Sequence, residues 1–189
     1  MSTSDTGTTP STESPRQRGL RPASYVAPKA EAIPEELKAI AQWVAWRYDE
    51  RTDRATGEVK VTKVPINPRT GGNAQSNAQS TWSTFERAWA RYEQDGLDGL
   101  GFMLTLESRI VGIDIDKCRV PATGVIEAEA LEIVRELNSY TEVSPSGCGI
   151  RIFVLGKLPA TGRKKGRVEM YDSARYMTVT GARVEVSRP

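Results

Sequence analysis

The stretch Gly-Ile-Asp-Ile-Asp at residues 112–116 constrains this chain more than any other. Strict alternation of apolar and acidic residues is the two-residue period of a β-strand, whose successive side chains point to opposite faces. Ile113 and Ile115 therefore belong to a core, and Asp114 and Asp116 share the other face with Gly112, which leaves that face open beside them. Two residues along a strand separate Cα atoms by about 6.6 Å. Carboxylates this close call for positive charge, because burial and like-charge repulsion both oppose their ionisation. A divalent metal, or a metal pair about 3.5–4 Å apart, would answer that need. A solvated polar face would answer it too.

The rest of the pattern is a run of short strands interrupted by helices. IPEELKAIAQ (33–42) reads as a short helix with Pro34 at its first position. WVAWRY (43–48) reads as a strand, DERTDRATGEVK (49–60) as a polar hairpin, and VTKVPINPRTGG (61–72) as extended, because Pro65 and Pro68 forbid a helix. In STFERAWARYEQDG (83–96), Phe85, Ala88, Trp89 and Tyr92 recur at helical spacing, Ser83 and Glu86 have the spacing of a capping box, and Asp95-Gly96 stops the helix. LGFMLT (100–105) and RIVGIDID (109–116) read as adjacent strands. VIEAEALEIVRELN (125–138) reads as a second amphipathic helix, with Ile126, Ala130, Val134 and Leu137 on one side. IRIFVLG (150–156), RVEMYD (167–172) and YMTVTG (176–181) complete the strands. The expected class is α+β, a mixed or antiparallel sheet flanked by helices.

Residues 1–30 read as a disordered tail: nine of the first fifteen are Ser or Thr, and aromatics are nearly absent. The tail's four basic residues against Asp5 and Glu13 account for the net charge of +2, leaving 31–189 neutral. That balance selects no partner. The chain has no histidine, which excludes His-based acid–base chemistry, Ser-His-Asp triads and His-ligated zinc. Cys118 and Cys148 alone cannot complete a four-ligand zinc site. Any metal would be a hard cation held by oxygen, Mg²⁺ or Mn²⁺. No apolar run approaches the roughly 20 residues of a membrane helix and no signal peptide is evident, so a soluble cytoplasmic protein is expected.

Three further segments carry candidate chemistry. SPSGCGIRIFV (144–154) leads a Ser/Gly turn into a strand, so backbone N–H groups and the Arg151 guanidinium could cradle an anion such as a triphosphate. The bland reading is a glycine turn with Arg151 paired to an aspartate. In VEMYDSARYMTVTG (168–181), Glu169 offers a third carboxylate, Asp172 is second choice, and Arg175 is a candidate phosphate contact. Glu169 in a salt bridge to Arg151 or Arg167 is the alternative. Arg163, Lys164, Lys165 and Arg167 form the densest basic cluster, in a Gly-containing hairpin loop suited to a nucleic-acid backbone or simply to solvent. Lys63 is an isolated cation in an extended segment. An Asp-x-Asp pair by itself also occurs in nucleotide-sugar transferases and nucleases.

Taken in order, WVAWRY, TKVPINPRTGG, STWSTFERAW, GLGFMLT, VGIDIDKC, SYTEVSPSGCGIRIFV and VEMYDSARYMTVTG resemble the N-terminal domain of phage- and plasmid-encoded bifunctional primase-polymerases, of the archaeo-eukaryotic primase superfamily. The resemblance runs from about residue 33 to 181. It implies a primase-polymerase domain over 31–189 that joins nucleoside triphosphates on a single-stranded DNA template. Asp114, Asp116 and Glu169 match the acidic motifs that bind two divalent metals. Ser146, Gly147, Gly149 and Arg151 match the motif that contacts the triphosphate, with Arg175 assisting; Lys63 and the 163–167 cluster are the expected template contacts. Many superfamily members have His where this chain has Arg151, which keeps the positive charge and the bidentate grip on phosphate but cannot shuttle protons near neutral pH. Family members usually continue beyond the third motif, often into a helicase, so a C-terminally shortened domain and a helicase partner are expected. The competing expectation is a non-catalytic DNA-binding or replication-initiation module with the same fold. A glycosyltransferase using Asp-x-Asp is a third, opposed by the motifs that follow.

Overall fold

The computed structural model of the chain describes residues 19–159 and 163–186. Among them, nine strands form two antiparallel sheets. In the first, β1 (Trp43–Thr52) pairs with β2 (Val59–Ile66) and β3 (Gly99–Leu104), and β9 (Arg175–Val179) completes the order β2-β1-β3-β9. The second joins β4 (Ile110–Ile115), β5 (Tyr140–Val143), β6 (Ile150–Leu155), β7 (Arg163–Lys165) and β8 (Val168–Tyr171) in the order β5-β6-β4-β8-β7. The helices are α1 (Glu35–Lys38), α2 (Phe85–Asp95) and α3 (Ala128–Leu137). The α+β class holds, but every strand pair is antiparallel, so the sheet is not mixed. None of the described helices is long and apolar enough to cross a membrane.

Alternation decides what each strand face packs against. Ile113 and Ile115 of β4 and Ile150 and Ile152 of β6 turn towards α3, whose Ala130 and Val134 are buried against them. In the first sheet, Trp43, Leu100 and Phe102 pack under Phe85 and Ala88 of α2, with the Trp43 and Phe85 rings edge to face at 5.0 Å. Pro65 is tolerated in β2 because that strand is an edge. The opposite face of the second sheet, carrying Gly112, Asp114 and Arg151, turns towards the first sheet. β8 and β9 lie in different sheets and are joined by residues 172–174 alone. There Asp172 is buried and accepts the Leu158 N–H at 3.1 Å, a structural role that removes it as a spare site carboxylate.

Four details differ from the sequence reading. β3 and β4 are consecutive but belong to separate sheets. The N-cap of α2 is Thr84, whose hydroxyl accepts the Arg87 N–H, because the Ser83 backbone is already bridged to Trp43 through two 2.9 Å hydrogen bonds. Gly112 does not open a face: a Cβ there would lie 1.9 Å from Met177 Sδ, so its hydrogen makes room for β9. Of the tail expected over 1–30, residues 1–18 lie outside the described residues, while 19–30 are tied to the domain. Arg21 Nε lies 2.5 Å from buried Asp98, the Tyr25 hydroxyl donates to the Asp98 carbonyl, and the Val26 and Lys29 amides donate to Pro145 and Thr180. Composition hides this because a few specific hydrogen bonds, rather than bulk burial, hold the segment.

Gly112→Ala must displace Met177 and is expected to cost about 1–3 kcal/mol, read as a fall in Tm of roughly 2–4 °C per kcal/mol. Gly156→Ala meets only Val111 at 3.7 Å and should stay within about 0.5 kcal/mol. Equal Tm shifts for the two variants would refute this account of how the sheets meet.

Candidate functional site

Strand register assembles a row of charge across the second sheet. Glu142 of β5 is paired with Arg151 of β6, Arg151 with Asp114 of β4, Asp114 with Glu169 of β8, and Glu169 with Lys164 of β7. Cross-strand partners share a face with Cβ atoms about 4.5–5.5 Å apart, so five strands contribute one charged side chain each, in the order minus, plus, minus, minus, plus. Exposure is lowest at one end, with none at Glu142, and highest at the other, 66% at Lys164.

The buried end is heavily bonded. Glu142 accepts the Thr180 N–H at 3.0 and 3.1 Å, the Gly181 N–H at 2.9 Å and the Tyr140 hydroxyl at 2.7 Å. Burial pushes its carboxyl above the usual carboxylate range, against the pull of these donors. Arg151 Nη1 donates to the Thr178 carbonyl at 3.0 Å and to the Thr178 hydroxyl, which links the row to β9 of the first sheet. Its Nε lies 3.2 Å from Asp114 Oδ1 without hydrogen-bond alignment, so both of these buried atoms lack a hydrogen-bond partner and the contact is an ion pair only. Within the protein, then, the positive neighbour of Asp114 is Arg151.

The middle of the row is where two carboxylates meet. Asp114 and Glu169 are direct cross-strand partners, an arrangement that is repulsive unless positive charge intervenes. Glu169 is hydrogen-bonded by Lys164 and, at 2.7 Å, by the Tyr171 hydroxyl, and these two partners lower its pKa; Arg175 lies 3.9 Å away and stacks 4.5 Å over the Tyr171 ring. Asp116 falls in the exposed turn after β4, and burial, Asp114 and Glu169 raise its pKa against Arg151 and Lys63.

The middle of the row, but not Asp116, lines a cleft of about 530 Å³ between the two sheets, a size that suits a small organic ligand. Asp114, Arg151, Glu169 and Tyr171 line one side; Lys63 and Pro65 of β2, Gln75–Asn77, and Arg175–Thr178 of β9 line the other. Lys63 is thus part of the cleft rather than of an outlying surface. Burial, and secondarily Arg151, lower its pKa to about 8, while Asp114 and Asp116 oppose the shift.

Other expected residues are brought elsewhere. Gly149 sits beside the Asp116 backbone, but neither it nor Ser146 nor Gly147 lines the cleft. Their amides are used within the turn: Gly147 N–H donates to the Ser144 carbonyl at 2.8 Å and Gly149 N–H to the Ser144 hydroxyl at 3.2 Å. Ser24 covers the turn, and a Cβ on Gly147 (φ +75°) would lie 2.5 Å from its carbonyl. Of the basic cluster, Arg163–Lys165 form the edge strand β7 rather than a loop, and Arg167 is bound bidentately to Glu127, leaving Arg163 and Lys165 as exposed cations.

As they stand, no three acidic, His or Cys side chains among the described residues are grouped to hold a metal ion. The donor set nonetheless fits a hard cation in kind: it is all carboxylate, and buried Asp114 Oδ1 lacks a hydrogen-bond partner. The sequence reading missed Glu142 and Thr178. The one signal was a glutamate inside the strand pattern of Tyr-Thr-Glu-Val (140–143).

No protein-family model matches the chain. Among curated proteins, it is similar to a DNA primase-polymerase of Nitratiruptor phage NrS-1, 36% identical over 151 residues that cover 77% of this chain. The chain spans 20% of that relative's length.

Glu142→Ala removes the acceptor for two backbone amides and a tyrosine hydroxyl and is expected to cost about 3–5 kcal/mol in chemical denaturation. Glu142→Gln keeps one acceptor oxygen and should cost about 1–3 kcal/mol. A loss below about 1 kcal/mol for the alanine variant would show that this carboxylate does not hold the sheets together.

Proposed function

This chain carries a phage primase-polymerase domain, and on that premise we propose that it is a metal-dependent nucleotidyltransferase that extends or starts strands on a single-stranded DNA template. The observation that supports this best is the Asp114–Glu169 cross-strand pair, set between Arg151 and Lys164 and facing a nucleotide-sized cleft. In the reaction, a hydroxyl oxygen bonds to the α-phosphorus of a nucleoside triphosphate, the hydroxyl proton is lost, and the bond to pyrophosphate breaks. Bound Mg²⁺ or Mn²⁺ would activate the hydroxyl and neutralise the pyrophosphate. Asp114, Asp116 and Glu169 are the residues that would hold these ions.

The chain's own groups have separable roles. Arg151, fixed by Thr178, holds Asp114 in place and adds positive charge beside it. Because arginine does not deprotonate near neutral pH, its contribution is positional and electrostatic. Tyr171 orients Glu169 by donating to Oε2. Arg175, at the cleft mouth, presents a guanidinium to phosphate. Exposed Arg163 and Lys165 are available for the template backbone. A helicase acting with the domain, in the same chain or in another, belongs to this reading.

A non-catalytic DNA-binding or replication-initiation module is the second reading, favoured by Lys164 occupying Glu169 and by the internal use of the Ser/Gly-turn amides. Primer synthesis on single-stranded DNA with Mn²⁺ separates the two. Asp114→Asn and Glu169→Gln should each reduce nucleotide incorporation by at least about 100-fold, beyond the 10–100-fold expected for losing a mere partner of a metal ligand, with circular dichroism unchanged. Full synthesis by either variant overturns the catalytic assignment. DNA binding by the unaltered protein without any incorporation selects the module.

A further inference from the structure

The cations around the cleft are not equivalent. Arg151 is held by Asp114 and by both oxygens of Thr178. Arg175 stacks on Tyr171 and approaches Glu169. Lys164 is hydrogen-bonded to Glu169. Lys63 lines the same cleft, yet its ammonium makes no hydrogen bond or ion pair with any described residue.

Its position is nevertheless built. Lys63 pairs with Tyr48 across the β1–β2 ladder, which puts both side chains on one face of the first sheet. Its carbonyl accepts the Tyr176 hydroxyl, tying β2 to β9. Tyr176 can reach because Gly101 beneath it has no Cβ, which would lie 2.7 Å from the ring. The anchored backbone therefore aims a half-buried ammonium across the cleft, facing Asp114 and Arg151. A cation partly withdrawn from water without a partner carries a desolvation cost that an anionic ligand would offset. The rim beside it, Gln75 to Asn77, is polar but uncharged, so Lys63 supplies the charge next to that rim, while Arg175 on the same side is engaged by Tyr171 and Glu169.

We propose that Lys63 is a nucleotide-phosphate ligand, binding the polyphosphate of the incoming nucleoside triphosphate rather than the template backbone. The assignment rests on the nucleotidyl-transfer reading and adds to it a substrate contact from the first sheet, opposite the carboxylates of the second. An ammonium suits polyphosphate because it is a compact charge with three donors and imposes no planar geometry on the phosphate oxygens. The triphosphate would then lie between the two sheets, with Arg175 at the mouth and Lys63 deeper on the same, first-sheet side.

The test is equilibrium binding of inorganic tripolyphosphate, a deoxynucleoside triphosphate and a single-stranded oligonucleotide to the unaltered protein, Lys63→Ala and Lys63→Arg. The alanine variant should bind both polyphosphates roughly 10- to 100-fold more weakly, the effect of one charged hydrogen bond. Its oligonucleotide affinity should change by less than about 3-fold, and arginine should restore part of the loss. Loss of oligonucleotide affinity with intact polyphosphate binding overturns the proposal in favour of a template contact. Unchanged binding of all three ligands overturns it outright, and so does an equal loss of all three, which would mark a general effect on charge or folding. If the unaltered protein binds no nucleotide, the nucleotidyl-transfer reading itself fails; if it binds nucleotide and Lys63→Ala binds it equally well, only the role of Lys63 fails.

Discussion

Arg151 is the point at which the two sheets and the acidic residues meet. It is buried, flanked in register by Glu142 and Asp114, and bonded to Thr178 of the neighbouring sheet. A buried guanidinium is tolerable only with compensating charge and acceptors, and removing one partner of such a group is far more costly than the pair's net contribution. Each neighbour of Arg151 is therefore constrained in turn. Asp114 must stay close, Glu142 must remain a strong acceptor, and β9 must present Thr178 at the right height. The cleft exists because these demands hold the charged face of one sheet against the edge strand of the other.

Glu142 carries the same logic to the far side. Its carboxylate accepts the amides of Thr180 and Gly181 just as β9 ends, and the Tyr140 hydroxyl completes its bonding. Gly112 contributes by absence, letting Met177 settle on β4 two residue pairs away from the Asp114–Glu169 partners. The inter-sheet contact is thus apolar at Met177 and hydrogen-bonded at Thr178, and β9 supplies both residues through successive positions. A shift of β9 by one residue would put a hydroxyl-bearing side chain at the apolar contact and an apolar side chain at Arg151, so register is strongly specified there.

What the sequence made legible was local. Alternation in 112–116 put Asp114 opposite the isoleucines, and the helical spacing of Phe85 and Ala88, and of Ala130 and Val134, named the faces that are buried. What it hid was cross-strand register, a property of residues far apart in the chain. Nothing in the sequence near Arg151 says that Asp114 and Glu142 lie on either side of it. The Ser/Gly turn looked like an anion cradle because glycines expose amides, yet those amides satisfy the turn and Ser24 closes over it. Lys63 was unreadable for a related reason. Its role depends on Tyr176, more than a hundred residues away, reaching across Gly101 to fix the β2 backbone.

The row also differs in how easily its two ends can be rearranged. Arg151 is buried and bonded to a neighbouring sheet, so withdrawing it would leave the buried Glu142 and the part-buried Asp114 without their neighbouring cation. Lys164 stands at the exposed edge strand, two-thirds open to water, and an exposed ion pair of this kind contributes little and is weakened by salt. Lys164 can leave Glu169 at small cost, and Tyr171 would still orient the freed carboxylate. The Asp114–Glu169 pair is therefore fixed from the Arg151 side and exchangeable from the Lys164 side. The proposed nucleotidyl-transfer centre, which would gain and lose counter-charge in each cycle, would be served by that combination: a permanent cation that keeps the carboxylates in register, and a replaceable one that holds the place between cycles.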